Sequence, residues 1–340
     1  MSAFSEPIRI SFGIIVLNGE PFTRYCLRSL YPFAHEIIVV EGATQNARAI
    51  STPAGHSTDA TLDTLERFKK EEDPQNKLNI ITRNGFWSEK DEMSQAYAKA
   101  ATGNILWQVD VDEFYKPADM QRVISILEND PAVSTLSFNT LTFWGNLDYL
   151  TTSIHHMRGA GEFHRVFRFG PGFSYTTHRP PTVVDPTGRN LRGLGWLRGI
   201  TVEKKYRIFL YHYSFLFPKQ VEEKSIYYSA LKRKRKDSVT WAKENYFKLG
   251  HPFHVHNVYE KVSWLLRYRG THPPHAEEMM ATVTQENKID LRDTEDIERL
   301  LSSVWYRPCT LFLESLGISA KAIGVVKKQI NSVLRGTLTL

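Results

Sequence analysis

The stretch SEKDEMSQAYAKAATGNILWQVDVDEFY, residues 88–115, carries the pattern from which the fold can be predicted. Its first residue is predicted to be the N-cap of a helix, because Asp91 three residues later completes a capping-box pattern. Gly103 is predicted to end this helix as a left-handed C-terminal residue. The apolar run Ile105–Val109 reads as a buried strand and leads directly into Asp110-Val111-Asp112. A helix followed by a buried strand and an acidic turn is typical of one unit of an α/β fold.

The first third of the chain repeats this alternation of apolar strands and amphipathic helices. Further strands are predicted at 10–17, 36–40 and 78–82, and helices at 22–30 and 59–70. Apolar strands that alternate with helices form parallel sheets covered on both faces, so we predict an α/β fold with a mostly parallel central sheet flanked by helices. Ligands of such sheets bind beyond the carboxyl ends of the strands, where Asn18, Glu41, Asp110 and Asp112 are all expected.

The rest of the chain has a different character. Residues 133–213 are rich in predicted strands and in Gly/Pro connections, and the strands are expected at 134–141, 163–169 and 204–211. Residues 219–250 read as helical and basic, and they include the run KRKRK at 232–236. Residues 295–335 read as two amphipathic helices around Pro308 and Gly317. The helical end of the chain is therefore predicted to follow a β-rich middle.

The composition restricts the class of protein. Of 340 residues, 41% are hydrophobic and 24% charged, as in an ordinary globular protein. The net charge of +6 suits an anionic ligand such as a nucleotide diphosphate or a lipid surface, whereas no recognition motif supports nucleic acid. Cys26 and Cys309 form no disulfide framework and no zinc spacing, which favours a reducing compartment. No signal-like or membrane-spanning run is seen, so we predict a cytoplasmic protein.

The basic helix at 225–241 leaves one question of location open. Its charges could dock on the anionic cytoplasmic face of a membrane, as a peripheral contact. The alternative is that this stretch is a solvated helix face.

Asp110 and Asp112 are the strongest candidates for a metal site. Two carboxylates one residue apart at the end of a buried strand can project toward one cation. Mg²⁺ and Mn²⁺ prefer oxygen ligands and bridge to substrate phosphates. The alternative is a solvated turn at the end of the strand.

Residues 88–115 resemble the corresponding part of the family 2-like glycosyltransferases of the GT-A type. The stretch ISFGIIVLNGEPFTRYCLRSLYPFAHEIIVVEGAT, residues 10–44, is similar to that family's first two strands and the helix between them. The resemblance covers about the first 120 residues, with scattered pieces to about residue 230. It implies a GT-A-like (Rossmann-like) fold, a nucleotide-sugar donor, Mn²⁺ or Mg²⁺, and inverting transfer to a hydroxyl of a glycan, lipid-linked or other acceptor.

The same resemblance implies a division of the chain. Residues 1–230 would form the glycosyltransferase domain, with a nucleotide-binding half at 1–115 and a β- and loop-rich acceptor half at 116–230. Residues 231–340 would form a helical C-terminal extension.

The resemblance also implies residue roles. Asp112 would be the direct metal ligand, Asp110 would lie near the ribose and the metal, and His212 would complete the metal shell. The alternative for His212 is a buried histidine without a ligand role. The nucleotide-sugar would contact Val16, Leu17, Asn18, Glu41, Asp91, Val109, Asp110, Val111 and Arg168. The chain departs from the family at Asp91, because many members carry a Lys-Gly-x-x-x-Ala-Arg-Asn-like stretch in this helix.

The catalytic base is the least defined part of the predicted site. The run 165–168 followed by Thr177-His178 resembles a basic strand that leads to a His-Glu pair, but Arg179 stands at the Glu position. His178 could itself act as the base, because imidazole titrates near neutral pH. Glu162 and Asp185 are alternative bases on flanking loops. His178 could also merely order its loop by hydrogen bonding.

Two other functions remain open from the sequence. A nucleotidyltransferase would use a similar sheet and acidic pair, although the segment Leu17-Asn18-Gly19-Glu20 is a poor version of a Gly-rich phosphate loop. A non-catalytic nucleotide- or sugar-binding protein on the same scaffold is the third possibility, because the Glu expected after His178 is missing.

Overall fold

The computed structural model describes residues 7–153, 162–231, 237–257 and 262–316. Its first half alternates strands and helices as predicted, with bounds that differ by a few residues. The elements are β1 (Ile10–Val16), α1 (Phe22–Leu30), β2 (Glu36–Glu41), α2 (Thr61–Glu71), β3 (Leu78–Ile81), α3 (Lys90–Ala100), β4 (Ile105–Asp110), β5 (Glu113–Phe114) and α4 (Pro117–Asn129).

The second half is richer in strands. They are β6 (Thr135–Phe138), β7 (Thr140–Trp144), β8 (Asn146–Ser153), β9 (Phe163–Arg168), β10 (Ser174–His178), β11 (Pro181–Val184), β12 (Trp196–Leu197), β13 (Leu210–Phe215) and β14 (Ser263–Arg267). The longer helices here are α5 (Pro218–Ala230), α6 (Pro274–Glu286) and α7 (Glu295–Leu301), and shorter helical turns connect the strands.

The central sheet positions the acidic turn. Within the described ranges it has seven strands in the order β12-β6-β9-β4-β1-β2-β3. β1 pairs in parallel with β2 and β4, β2 pairs in parallel with β3, and only β9 runs antiparallel to its neighbours. The predicted α/β fold with a mostly parallel central sheet is therefore confirmed. In this register Asp110 lies opposite Ile15 and Glu41 opposite Val16, so the polar groups meet at one edge.

A second sheet brings distant residues to the same edge. In the described part of the chain its order is β14-β8-β7-β13-β5. β13 pairs antiparallel with β5, which follows the acidic turn, and this pairing sets His212 opposite Glu113. The β10–β11 hairpin packs against α3 and brings His178 toward the same region. The edge of the central sheet is thus covered by elements from the second half.

The predicted strand at 204–211 is wrong. Residues Val202–Tyr206 form a π-helical turn, and the strand begins only at Leu210. Arg207 has a φ of 59° in the left-handed region and reverses the chain after this turn, so the apolar alternation becomes a strand only beyond it. The predicted strand at 134–141 is also two strands, because the chain passes from the central to the second sheet at Asn139.

The start of α3 differs from the predicted capping box. The N-cap is Glu89, and the backbone N–H and hydroxyl of Ser88 both donate to a carboxylate oxygen of Glu92, at 2.7 and 2.8 Å. Asp91 instead accepts a hydrogen bond from the backbone N–H of His178 at 2.7 Å. A contact with a remote hairpin therefore replaces the local contact that the sequence pattern predicts.

Gly103 has a different role from the predicted helix terminus. The helix ends at Ala100, and Gly103 does not adopt the left-handed conformation. A Cβ at this position would clash with the backbone carbonyl of Arg9 and lie 2.7 Å from Ser11 Oγ. The glycine is therefore required where the chain passes closely over the start of β1.

Replacing Gly103 by Ala is expected to lower the free energy of unfolding by about 1–3 kcal/mol, the usual range for overpacking. The obstructing atom belongs to the backbone, so it cannot move aside as a flexible side chain would. Urea denaturation followed by circular dichroism measures the effect. Gly193→Ala is the matched control, because a Cβ there meets nothing within 4 Å. Equal stabilities of the two variants would contradict the proposed close approach.

The sequence predicts a helical segment after residue 230, but the structure shows that this segment is only partly helical. It contributes β14, which pairs antiparallel with β8 in the second sheet. It also contributes α6, which packs against α1 through Ala276, Met279 and Val283. The boundary at 230/231 stays a prediction, but these contacts join the segment to the body of the domain.

The C-terminal helices are described in part. α7 and a helix at 306–316 follow one another as predicted, and Pro308 lies in the first turn of the latter, where proline is tolerated. Gly317 and the predicted remainder of this helical pair lie outside the described residues, and so does the KRKRK run. None of the helices in the described ranges is long and apolar enough to cross a membrane.

Candidate functional site

A cavity of about 740 Å³ opens at the carboxyl edge of the central sheet. Its walls are the ends of β1 and β4, the second sheet at β13, the turn between β10 and β11, and one face of α5. The predicted site residues that line it are Val16, Leu17, Asn18, Asp110, Val111, Asp112, Glu162, His178 and His212. The structure therefore brings together residues from both halves of the chain.

Two of the predicted nucleotide contacts are buried behind this cavity. Glu41 is fully buried, and its carboxylate accepts from the backbone N–H and hydroxyl of Ser57, at 2.7 and 2.8 Å, and lies 2.8 Å from His56 Nδ1. Val109 is also fully buried, in the core cluster around β1. We therefore correct both assignments: Glu41 anchors the loop after β2, and Val109 packs in the core.

Arg168 is placed away from the cavity. Its guanidinium donates to the carbonyls of Leu127 and Val133 at 2.7 Å each, and to that of Asp130 at 3.1 Å. These carbonyls lie in the last turn of α4 and the connection that follows it, so the side chain stabilises a helix terminus. The predicted contact of Arg168 with a nucleotide-sugar is withdrawn for this reason.

Asp185, one of the alternative bases, is engaged in its own loop. Its Oδ1 accepts from the backbone N–H of Thr187 and of Arg189, at 2.9 Å each, and its Oδ2 lies 2.9 Å from the Arg189 guanidinium. Asp185 does not line the cavity. It stabilises a turn, and the assignment as a base is withdrawn.

His178 is held in the cavity wall by α3. Asp91 accepts from its backbone N–H, and Ser94 Oγ lies 2.9 Å from its Nδ1. Burial lowers the pKa of the imidazole, Asp110 opposes this shift, and neighbouring cations such as Lys90 add to it, so that the pKa is about 3. The ring is therefore neutral at pH 7 and a weak base. Asp91 positions this residue from behind and does not line the cavity.

Asp110 and Glu113 share one buried cation. Arg165 is only 4% exposed, and its guanidinium lies 3.0 Å from Asp110 Oδ2 and 2.9 Å from Glu113 Oε2. Burial alone would raise the pKa of Asp110, but Arg165 and more distant cations hold it well below its usual value. Burial raises the pKa of Glu113, and Arg165 opposes that shift. The first carboxylate of the acidic pair is therefore held ionised by an arginine.

Asp112 lies between a lysine and a histidine. Its Oδ2 accepts from Lys224 Nζ at 2.6 Å and from Gln220 Nε2 at 3.1 Å. Its Oδ1 lies 3.6 Å from His212 Nε2. Burial lowers the pKa of His212 to about 4, although Asp112 opposes the shift, so the ring is neutral at pH 7. A neutral imidazole and a carboxylate are both suitable metal ligands.

These contacts decide which residues fit a metal ion. Across the residues described, no group of three His, Cys, Asp or Glu is arranged to hold one. Asp110 faces Arg165, whereas the pair Asp112 and His212, with ligand atoms 3.6 Å apart, matches two ligands on one ion at metal–ligand distances of about 2.1 Å. Mg²⁺ and Mn²⁺ commonly take one or two protein ligands and complete their shell with phosphate oxygens and water. The site fits such an ion with two protein ligands.

Sequence reasoning missed the contribution of α5. Gln220, Lys224, Tyr227 and Tyr228 line the cavity from one face of this helix. They are spaced four, three and one residues apart, so they share one face of a helix, and this shared face could be recognised from the sequence. This stretch was interpreted as a surface helix, because no local pattern indicates which element such a face will cover.

Comparisons with known proteins find a partial likeness to solved structures. No protein-family model matches the chain, and a search of curated proteins finds no match. A crystal structure of S. aureus TarS 1-349 in complex with UDP-GlcNAc is 14% identical over 47% of this chain and 45% of that chain, with a TM-score of 0.35. Glucosyl-3-phosphoglycerate synthase from Mycobacterium tuberculosis, in complex with Mn²⁺ and UDP-glucose, is 17% identical over 40% of this chain and 44% of that chain, with a TM-score of 0.28. The match spans less than half the length of each of these solved chains.

Proposed function

We propose that this chain is a GT-A-type glycosyltransferase that transfers a sugar from a nucleotide-sugar to an acceptor hydroxyl with the help of Mn²⁺ or Mg²⁺. The observation that carries the proposal is the pair Asp112 and His212, whose ligand atoms lie 3.6 Å apart in the wall of a 740 Å³ cavity at the carboxyl edge of the sheet. A cavity of this size lies in the range of small-ligand and cofactor sites.

The nucleoside of the donor is proposed to lie over the ends of β1 and β2. Val16, Leu17 and Asn18 line this part of the cavity, with Thr44 and Ile50 from the loop after β2. Asn18 is held in place because its side chain donates to the carbonyl of Ile50 at 2.7 Å and accepts from the N–H of Thr58 at 2.8 Å. These contacts support a preformed wall against which a base and ribose can pack.

The loop after β1 argues against a nucleotidyltransferase. The backbone N–H groups of residues 18–20 donate, in chain order, to Ser57 Oγ, Thr61 Oγ1 and Asp59 Oδ2, at 3.0, 2.7 and 3.0 Å. A Gly-rich phosphate loop needs such N–H groups to be free for the phosphates. Since they are already used, the glycosyltransferase is the better supported of the two enzymes.

Asp112 and His212 are proposed to hold the ion, which would supply positive charge to the diphosphate as it leaves. Lys224 contributes a second positive charge beside Asp112. Arg165 keeps Asp110 ionised and fixed at the edge of the cavity. The residues of this chain would thus orient the donor and offset the charge of its leaving group.

Glu162 is proposed as the base that accepts the proton of the acceptor hydroxyl. It lines the cavity and is nearly buried, with Arg198 at 3.1 Å. His178 is the second candidate, because its Nδ1 is already engaged by Ser94 Oγ at 2.9 Å and its backbone N–H by Asp91. Direct attack of the activated hydroxyl would invert the anomeric centre, and this outcome is part of the proposal.

Calorimetric titration with nucleoside diphosphates, in Mn²⁺, Mg²⁺ or EDTA, tests the proposed function. We expect one nucleoside diphosphate to bind at least tenfold more tightly with the metal, because the metal bridges protein and phosphates. The nucleoside of the same base is the control, and its affinity should not depend on metal. Slow release of the diphosphate from the matching nucleotide-sugar would then confirm the donor. Binding that is equal in metal and in EDTA would contradict the proposal.

A further inference from the structure

Three basic side chains in the described walls of the cavity lack an acidic partner. Lys90 is the first residue of α3, Arg179 lies in the turn between β10 and β11, and Arg192 follows β11. Among the described residues, no carboxylate lies within 4.0 Å of their charged nitrogens. These three residues are called the cationic cluster below.

The contacts of the cationic cluster are to neutral groups. Lys90 Nζ lies 4.7 Å from the centroid of the Tyr227 ring, and Arg179 donates to Tyr228 Oη at 3.1 Å. Arg192 donates to Thr182 Oγ1 at 3.0 Å, and its Nη1 lies 3.2 Å from His164 Nε2. These groups orient the three side chains but carry no charge to balance them. The carboxylate that acts on Lys90 and Arg179 from a distance, Asp110, is already paired with Arg165.

The other basic groups of the cavity are compensated. Arg165 is paired with Asp110 and Glu113, and Lys224 with Asp112. Glu223 is a further acidic group of the lining, and it has Lys219 at 3.8 Å on the outer side of α5. The excess positive charge of the cavity therefore belongs to the cationic cluster.

The titration of Tyr228 is consistent with this excess. Burial by itself would raise the pKa of the phenol, but Arg179, Lys90 and Lys224 outweigh it and lower the pKa to about 8. A lowered phenol pKa is what a positive potential in this part of the cavity produces.

We infer that the cationic cluster binds an anionic group of the acceptor, a phosphate or a carboxylate, and that the acceptor is therefore an anionic hydroxyl compound. The inference rests on the proposed function, in which a divalent ion offsets the two negative charges of the donor diphosphate. Because the ion already balances the donor, the charges of Lys90, Arg179 and Arg192 remain for a second anion. Arginine suits this task, because its planar guanidinium can bind a phosphate or carboxylate through two parallel hydrogen bonds.

The position of Arg179 suits an acceptor that arrives after the donor. Its side chain is exposed at the rim of the cavity, whereas Asp112 lies buried in the wall. A group bound at the rim would have its hydroxyl directed inward, toward the donor. Lys90 and Arg192 are half-buried and would contact the same anion or its second charged group.

Titration of inorganic phosphate into the full chain saturated with its nucleoside diphosphate and Mg²⁺ tests the inference. We expect phosphate to bind this complex, and Arg179→Gln to weaken that binding at least tenfold while changing the affinity for the nucleoside diphosphate less than twofold. Arg192→Gln is the second variant, and it is also expected to weaken phosphate binding. Arg122→Gln is the matched control, because Arg122 lies on α4, is 58% exposed, and does not line the cavity. Circular dichroism confirms that each variant is folded.

Two results of this titration would overturn the inference. If the variants lose affinity equally for phosphate and for the nucleoside diphosphate, the cationic cluster belongs to the donor site. If they bind phosphate as tightly as the wild type, the cluster is not an anion site. If no nucleotide binds, the proposed function fails by itself. Phosphate titrated into the nucleotide-free chain then still reports on the cluster. Weaker phosphate binding by Arg179→Gln and Arg192→Gln, but not by Arg122→Gln, retains the anion site, and equal binding by all variants rejects it.

Discussion

Replacing Arg165 by Leu is expected to lower the free energy of unfolding by about 3–5 kcal/mol, the usual cost of removing one partner from a buried ion pair. The guanidinium is 4% exposed and lies between Asp110 and Glu113, of which Glu113 is fully buried. Without it, the fully buried Glu113 has no cation partner and faces the carboxylate of Asp110. Urea denaturation at pH 7, followed by circular dichroism, measures the change.

A double variant separates the loss of the ion pair from the loss of packing. In the Arg165→Leu background, Glu113→Gln should recover part of the stability, because a buried carboxyl no longer has to stay charged without a partner or take up a proton on folding. The same Glu113→Gln change in the wild-type chain should be destabilising, because it breaks contacts with Arg165. If Arg165→Leu costs less than about 1 kcal/mol, or if Glu113→Gln has the same sign in both backgrounds, the ion pair does not stabilise the fold as described.

The elements around the acidic pair could be predicted from sequence because their patterns are local. Ile105–Asp110 is an apolar run of strand length, and the helix Phe22–Leu30 was predicted with its observed bounds. Both elements bury most of their side chains against other strands and helices of the first half of the chain. Where such local agreement fails, as at Arg207, the turn depends on backbone conformation that hydrophobic periodicity does not encode.

The candidate site was predictable only at the ends of those strands. Asp112 could be found because it follows a strand directly. His212 was found only because the family resemblance implies a histidine ligand from the later part of the domain. Lys224 could not be found, since its partner lies 112 positions earlier and the pairing depends on how α5 crosses the sheet edge. Arg168 was misplaced for the same reason: its sequence neighbours suggest a ligand site, while its contacts are the carbonyls at the end of α4.

Asp112→Asn is expected to remove the dependence of nucleoside diphosphate binding on metal. In the presence of Mn²⁺ the affinity for the nucleoside diphosphate should fall by roughly 100-fold or more. Loss of a residue that only orients a metal ligand costs 10–100-fold in affinity, and loss of a direct ligand should cost at least as much. In EDTA the substitution should change the affinity in the opposite direction. Lys224, now without its carboxylate partner, has its full charge available to the diphosphate, so metal-free binding should become slightly tighter than in the wild type.

Calorimetric titrations of both proteins, in Mn²⁺ and in EDTA, measure the two effects together. Asp63→Asn is the matched control, because Asp63 is an exposed acid on α2 outside the cavity, and it should leave both affinities unchanged. The opposite signs in metal and in EDTA distinguish a lost metal ligand from a general loss of structure, which would weaken binding in both. If Asp112→Asn keeps its metal dependence, the ion does not bind at this carboxylate. Lys224 would then be the cation that Asp112 holds in place for the diphosphate.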